Sequence, residues 1–231
     1  MNGEPNDLGQ VVGLPVRDWS PAQFPSDDVL IGRYCRVERL VVERHVTDLF
    51  EANASDPTDA NWTYLSYGPF PTLDAYRSWM TDVCLSDDPM FFAVVDSPTG
   101  RAVGLASLLR ISPEDGTIEV GHINFSPLLQ RTRASTESMY LLMARVFDDW
   151  KYRRYEWKCN SLNGPSVAAA RRLGFTYEGT HRKAQVSKGR NRDTSWFSIT
   201  DDEWPAIKQR LQAWLDPSNF DDSGRQLTSL A

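Results

Sequence analysis

Ile118-Glu119-Val120-Gly121-His122-Ile123-Asn124-Phe125, closed by Pro127 and followed by Gln130-Arg131-Thr132-Arg133-Ala134-Ser135-Thr136, is the stretch on which the reading of this chain turns. Its first part is apolar and strand-like. Beyond the polar segment, Met139, Leu142, Met143, Val146, Phe147 and Trp150 recur at i, i+3, i+4 and i+7, which is one face of a helix. A strand, a short polar loop and a helix aim backbone N–H groups and a positive helix end at one point, where a phosphate is favoured. Ser135 or Thr136 is the expected N-cap. Arg131 and Arg133 supply charge for a pyrophosphate.

The strand carries an irregularity. Ile118 and Val120 place apolar side chains on even positions, Ile123 and Phe125 on odd ones. Side chains alternate with period two, so a phase change of one signals an inserted residue, and a β-bulge is expected at Gly121-His122. A bulge leaves backbone groups unpaired. A strand that simply ends at Gly121 is the plainer alternative.

Outward from this centre, Arg154 to Cys159 alternates as a strand. Asn163-Gly164-Pro165 opens a helix that stops at Gly174. Phe175-Thr176-Tyr177 starts another strand, and Arg182 to Arg192 reads as a basic hairpin or loop before Thr194 to Ile199. A last amphipathic helix bears Trp204, Ile207, Leu211, Trp214 and Leu215. On the N-terminal side, Tyr34 to Val42 reads as a strand, and His45 to Asn53 and Leu73 to Leu85 as helices. Phe91 to Val95 and Ala102 to Ile111 are further strands, and Asn61 to Phe70 is an aromatic loop. Residues 1–30 read as an irregular arm, 31–216 as one domain, and 217–231 as a loosely held tail.

Composition narrows the class. The chain has 231 residues, of which 41% are hydrophobic and 24% charged, enough for a sizeable core. The net charge of −6 argues against a general nucleic-acid binder. No apolar run is long enough to span a bilayer, and the N-terminus lacks a secretory pattern. Cys35, Cys84 and Cys159 stand far apart, as buried thiols in a reducing compartment do. The expectation is a cytoplasmic protein with no nucleic-acid, membrane or metal partner; homodimerisation stays open.

The order β, α, α, β, β, bulged β, loop, α, β, α, β, β over about Ile31 to Leu215 resembles the GCN5-related N-acetyltransferase (GNAT) superfamily. The resemblance rests on Gln130 to Ser135 in the frame of the family's pyrophosphate loop, on Asn163 with Ser166, and on Arg172-Leu173-Gly174-Phe175 followed by Glu178-Gly179. The last wording is similar to the branch of ribosomal-protein N-terminal acetyltransferases. The implied fold is a single α+β domain, a mixed central sheet with a bulge and splayed strands flanked by helices. Arg133 and Ser135 depart from the family's pattern, which has small residues there. A non-glycine residue tolerates positive φ poorly, so Arg133 is expected to stay in an allowed conformation and to pair with phosphate.

The resemblance implies transfer of an acetyl group from acetyl-CoA to a primary amine of a small molecule or a protein N-terminus. Glu119 is the implied base and Ser166 the donor to the leaving thiolate, since Ala170 stands where many members have Tyr. Backbone N–H groups of Ile123, Asn124 and Phe125 would hold the pantetheine arm, Gln130 to Thr136 the pyrophosphate, and Asn163 the sulfur region. Trp62 and Tyr64 would line the amine's approach, and His122 could relay protons. Each has an ordinary reading too: Glu119 as an exposed carboxylate, Ser166 and Asn163 as helix-start residues, His122 as a structural histidine, the rings as core. The competing classes are a non-catalytic acyl-CoA sensor and, more distantly, a phosphoryl-transfer enzyme, for which the Gly-x-x-x-x-Gly-Lys loop is missing.

Overall fold

Met90 to Val95 is apolar without alternation, and such a run suits a strand covered on both faces. In the computed structural model, which describes residues 3–230, it is β5 (Met90–Asp96), at the heart of an eight-stranded sheet. Its neighbours are β4 (Cys35–Arg39), with the short β3 (Leu30–Ile31) at the edge, and β6 (Ala102–Ser112). Beyond β6 come β7 (Thr117–Phe125), β8 (Arg154–Asn160), β10 (Arg190–Thr200) and β9 (Thr176–Ser187) at the far edge. Among the described residues only the β7–β8 pair is parallel. A separate hairpin of β1 (Gly3–Pro5) and β2 (Val11–Gly13) lies in the N-terminal arm.

Helices cover the two faces unequally. α3 (Arg133–Ala144), α4 (Gly164–Leu173) and α5 (Trp204–Leu215) contribute to one core with Phe92, Val94, Ile118, Val120, Tyr155 and Trp157. α1 (Val42–Asn53) and α2 (Leu73–Val83) form a second core with Phe91, Ala93, Val95 and Leu105. Every residue of the expected helical stripe, Met139 to Trp150, is buried; α3 continues into one π-helical turn, Arg145–Asp149, within it. Among the described residues no helix is long and apolar enough to cross a membrane.

A buried carboxylate locks α3 to the sheet. Glu137 accepts the backbone N–H groups of Arg33 (2.8 Å), Tyr34 (2.6 Å) and Cys35 (2.9 Å) at the start of β4. Gly32 is required there, because a Cβ would collide with that carboxylate. The stretch after Pro217, expected to be loosely held, is instead tied down. Phe220 meets Trp214 edge-on at 5.2 Å, Trp214 Nε1 donates to Gln226 at 2.9 Å, and Leu230 is buried. In the arm, the Ala22 N–H donates to Pro113 O (3.0 Å) and that of Gln23 to Trp150 O (2.8 Å), while Phe24 stays exposed.

Candidate active site

The phase change in β7 is a bulge. Asn124 pairs with Leu105 and Gly121 with Ser107, so His122 and Ile123 together face Ala106. The extra residue falls at His122-Ile123, one place beyond the expectation, and His122 takes φ 49°. On the other side of β7 the parallel ladder with β8 runs from Thr117↔Arg154 to Val120↔Trp157 and stops. Both strands continue, β7 to Phe125 and β8 to Asn160, so the sheet splays there. Alternate backbone groups of Gly121 to Phe125 turn away from β6 into this gap, where no strand meets them.

The loop above the gap departs from expectation in its details. Thr132, not Ser135 or Thr136, caps α3, its Oγ1 accepting the Ser135 N–H at 3.2 Å. The residue in the left-handed region is Arg131 (φ 62°), whereas Arg133 is helical. Gln130 Nε2 braces the loop, donating to Phe125 O at 2.7 Å and to Asn61 Oδ1 at 3.1 Å. The N–H groups of Arg131, Arg133 and Ala134 have no partner among the described residues. They are the orphan donors of a helix N-terminus, where an anion is favoured.

Three side chains of this loop face other tasks than those expected. The Arg133 guanidinium lies between the rings of Tyr34 and Phe220, 4.8 Å from each centroid, instead of reaching into the loop as a phosphate fork. Ser135 Oγ donates to Thr132 O at 2.8 Å, and Thr136 Oγ1 accepts from Arg172 at 3.0 Å. Ser135 and Thr136 thus build the helix start; their hydroxyls are occupied.

On the face of the sheet shared with α1 and α2, Glu119 is 4% exposed and is not the solvent-facing carboxylate of the plain reading. Its Oε2 accepts from Lys158 Nζ at 2.8 Å and from Arg110. Lys158 also reaches Glu156 at 2.8 Å and lies 3.6 Å over the Trp196 ring. Burial alone would push the Glu156 carboxyl up, but Lys158 and Arg154 hold it below the usual range. Glu119 Oε1 is free of these partners and faces Gly121, where an added Cβ would lie 3.5 Å from it and 2.9 Å from Leu109. His122 stacks on Tyr67 and meets Phe91 at a tilt, its Nδ1 3.3 Å from Tyr67 Oη. Burial, helped by Arg110, lowers its pKa and favours the neutral imidazole.

The opposite face carries Ser166. Asn163 caps α4, Oδ1 accepting the Ser166 N–H at 3.2 Å, so that oxygen is not available to a ligand. Ser166 Oγ accepts from Trp157 Nε1 at 3.0 Å and lies beside the Cys159 thiol, toward which its hydroxyl is directed. The aromatic loop divides. Trp62 is buried in the second core, edge-on to Phe70 and Tyr76, and is not a free stacking surface. Tyr64 Oη reaches across to Leu162 O at 3.0 Å, and Lys188 Nζ donates to Trp62 O at 2.8 Å. The aromatic loop, the β9–β10 hairpin and the β8–α4 loop therefore meet over the gap. Asn124 adds a side-chain amide that is 1% exposed and has no partner.

Sequence reasoning missed Lys158 and Arg110, and placed Tyr67 only as one ring of the aromatic loop. Lys158 had one signal, its alternation with Glu156 on β8, but only the parallel register brings it to Glu119.

The bulge, the splayed parallel pair and the helix N-terminus between them fall inside residues 38–176, which match the family model described as acetyltransferase (GNAT) domain, over more than half of the chain. The chain belongs to this family. As a GNAT acetyltransferase it uses acetyl-CoA as co-substrate. It is similar to a GCN5-related N-acetyltransferase from Brucella melitensis, at 45% identity and TM-score 0.91, covering 93% of this chain and 97% of that one. A GNAT-family structure from Chromobacterium violaceum is 39% identical with TM-score 0.78, covering 84% of this chain and 96% of that one. The SPbeta prophage-derived uncharacterized N-acetyltransferase YokL of Bacillus subtilis is 27% identical over 55% of this chain and 71% of its own length.

Proposed function

We propose that this acetyltransferase acts on a primary amine that enters from the α1/α2 face, while acetyl-CoA lies in the gap between β7 and β8. The observation that supports this most is the end of the parallel ladder at Val120↔Trp157, directly below a helix N-terminus with three unpartnered N–H groups. The N–H groups of Arg131, Arg133 and Ala134 take the pyrophosphate. The backbone groups of Gly121 to Phe125 that turn away from β6 take the pantetheine arm in place of ladder bonds and polarise the thioester carbonyl.

Glu119 Oε1 receives the amine. Its other oxygen is anchored by Lys158 and Arg110, so the carboxylate stays in one orientation. The neutral amine attacks the carbonyl carbon, the C–S bond breaks, and the thiolate takes the Ser166 Oγ proton. The proton shed by the amine leaves through the carboxylate to solvent, from which Ser166 is recharged. A second base is supported by one observation: His122 sits on the bulge beside the same face, where burial lowers its pKa and favours the neutral ring.

The Arg172-Leu173-Gly174-Phe175 wording supports keeping protein N-termini beside small amines in the acceptor class, and the three buried thiols support a cytoplasmic location. Thermal melting tests the cofactor reading. Acetyl-CoA should raise the Tm and ATP and NAD should not, because only a ligand of the folded state stabilises it. Release of CoA thiol with an amine panel then separates a transferase from a non-catalytic sensor.

A further inference from the structure

Three arginines, Arg39, Arg145 and Arg192, bury a guanidinium nitrogen without a hydrogen-bond partner. Arg39 is nevertheless paired with Asp87, and Arg145 with Asp28 and Asp149. Arg192 alone of the three has no carboxylate partner among the described residues. Burial lowers its pKa, with Cys159 and Glu119 the nearby groups that oppose the shift. Arg192 is half-buried, and an anion beside its shielded, unpaired Nε would offset the cost of that desolvation.

Its position relates it to the reaction. Arg192 lies on β10 two residues from Thr194, which pairs with Asn160 at the end of β8, and the intervening Asp193 O accepts the Ser161 N–H at 2.9 Å. By alternation it shares a face with Trp196, whose ring carries Lys158 and whose Nε1 is likewise buried without a partner. That is the Glu119 face, at the end of the gap roofed by Tyr64 and Lys188. The pyrophosphate end lies elsewhere, at Arg131 to Ala134 on the loop before α3.

We propose that the acceptor is an anionic amine, carrying a carboxylate or similar oxyanion a few bonds from the nitrogen, and that Arg192 is its specificity-determining residue. The planar guanidinium fork matches two oxygens of one anion, and Glu119 Oε1 takes the amine at the other end. This rests on the transferase reading and adds the acceptor's charge to it.

The test measures CoA-thiol release with L-α-amino acids against their carboxamides, and with phosphoethanolamine against ethanolamine; the two pairs distinguish a carboxylate from a phosphate. The wild type should favour the anionic member. Arg192→Gln should lower kcat/KM for it by about ten- to a hundredfold, the range for a charged hydrogen bond. The neutral member and the KM of acetyl-CoA should stay nearly unchanged, and Arg192→Lys should recover part of the loss. Independently of turnover, succinate should raise the Tm of the CoA-saturated wild type and not that of Arg192→Gln. An equal preference for neutral amines, a shift confined to the KM of acetyl-CoA, or equal succinate responses would overturn the proposal. Failure of acetyl-CoA to raise the Tm would instead sink the transferase reading beneath it.

Discussion

Lys158 holds Glu119 by one oxygen only. Its Nζ lies 2.8 Å from Oε2, the oxygen that Arg110 also binds, and Oε1 is left facing Gly121 beside the bulge. Two cations fix the carboxylate's direction, while its second oxygen stays open to an amine. Glu119→Gln keeps the shape and removes the charge. The rate should fall most at neutral pH and recover as pH rises and the amine deprotonates unaided. Lys158 keeps Glu156, so the expected loss of stability is about 1–3 kcal/mol, below that of a fully orphaned buried charge. A pH–rate profile beside a melting curve separates the two effects. If Glu119→Gln behaves like wild type at pH 7, His122 becomes the base to test.

Ser166 sits one turn into α4, with Trp157 Nε1 donating to its oxygen. Ser166→Ala should lower kcat by about a hundred- to ten-thousandfold, on the scale of general acid catalysis. Acetyl-CoA affinity should change little. The indole N–H loses its acceptor, which costs about 1 kcal/mol. Equilibrium binding of acetyl-CoA and single-turnover rates measure the two separately; a loss of affinity with an unchanged rate would make Ser166 a structural hydroxyl.

Arg131 and Arg133 should respond oppositely to glycine. Arg131 is held at φ 62°, where a side chain is strained, so Arg131→Gly should be neutral or stabilising by up to about 1 kcal/mol, with acetyl-CoA binding retained. Arg133 is helical and sits between two rings, so Arg133→Gly should destabilise by about 1–3 kcal/mol through lost stacking and helix propensity. Chemical denaturation of both variants checks the contrast.

Glu38 sets an acid limit on stability. Burial alone would raise its pKa, but hydrogen bonds from Arg36, His45 and Arg44 bring it down to about 2. Its folded value lies below the unfolded 4.5, so its contribution is present above pH 4.5 and lost as pH falls toward 2. Glu38→Gln should therefore cost about 3 kcal/mol at pH 7, and the gap to wild type should close between pH 4.5 and 2. His45 adds an earlier step. Its Nδ1 accepts the Val41 N–H, which places the ring proton on Nε2 toward Glu38, and burial lowers its pKa. That contribution is present above the unfolded value and is lost as pH falls through the lower folded one.

Local pattern carried much of this architecture. Periodicity gave the helices, and the odd–even switch between Val120 and Ile123 gave the bulge to within one residue. It gave α3 as well, but misplaced its cap: Thr132, Ser135 and Thr136 are all competent hydroxyls, and the helix begins early because Arg133 and Ala134 are good helix formers. What the pattern could not carry is non-local. The Glu119–Lys158 bond depends on a parallel register set by a crossover, and the fate of Arg133 depends on Tyr34 and Phe220 from opposite ends of the chain. Trp62 reads as a loop aromatic, yet the loop folds inward and buries it, since a large ring gains more from the second core than from solvent.

Amide hydrogen exchange with and without saturating acetyl-CoA tests the central claim, that the cofactor fills the gap beside β7, most directly. Protection should rise at the N–H groups of Gly121 to Phe125 that turn away from β6 and at Arg131, Arg133 and Ala134, which no strand or cap satisfies. Unchanged exchange in both segments at saturation, with new protection elsewhere, would contradict it.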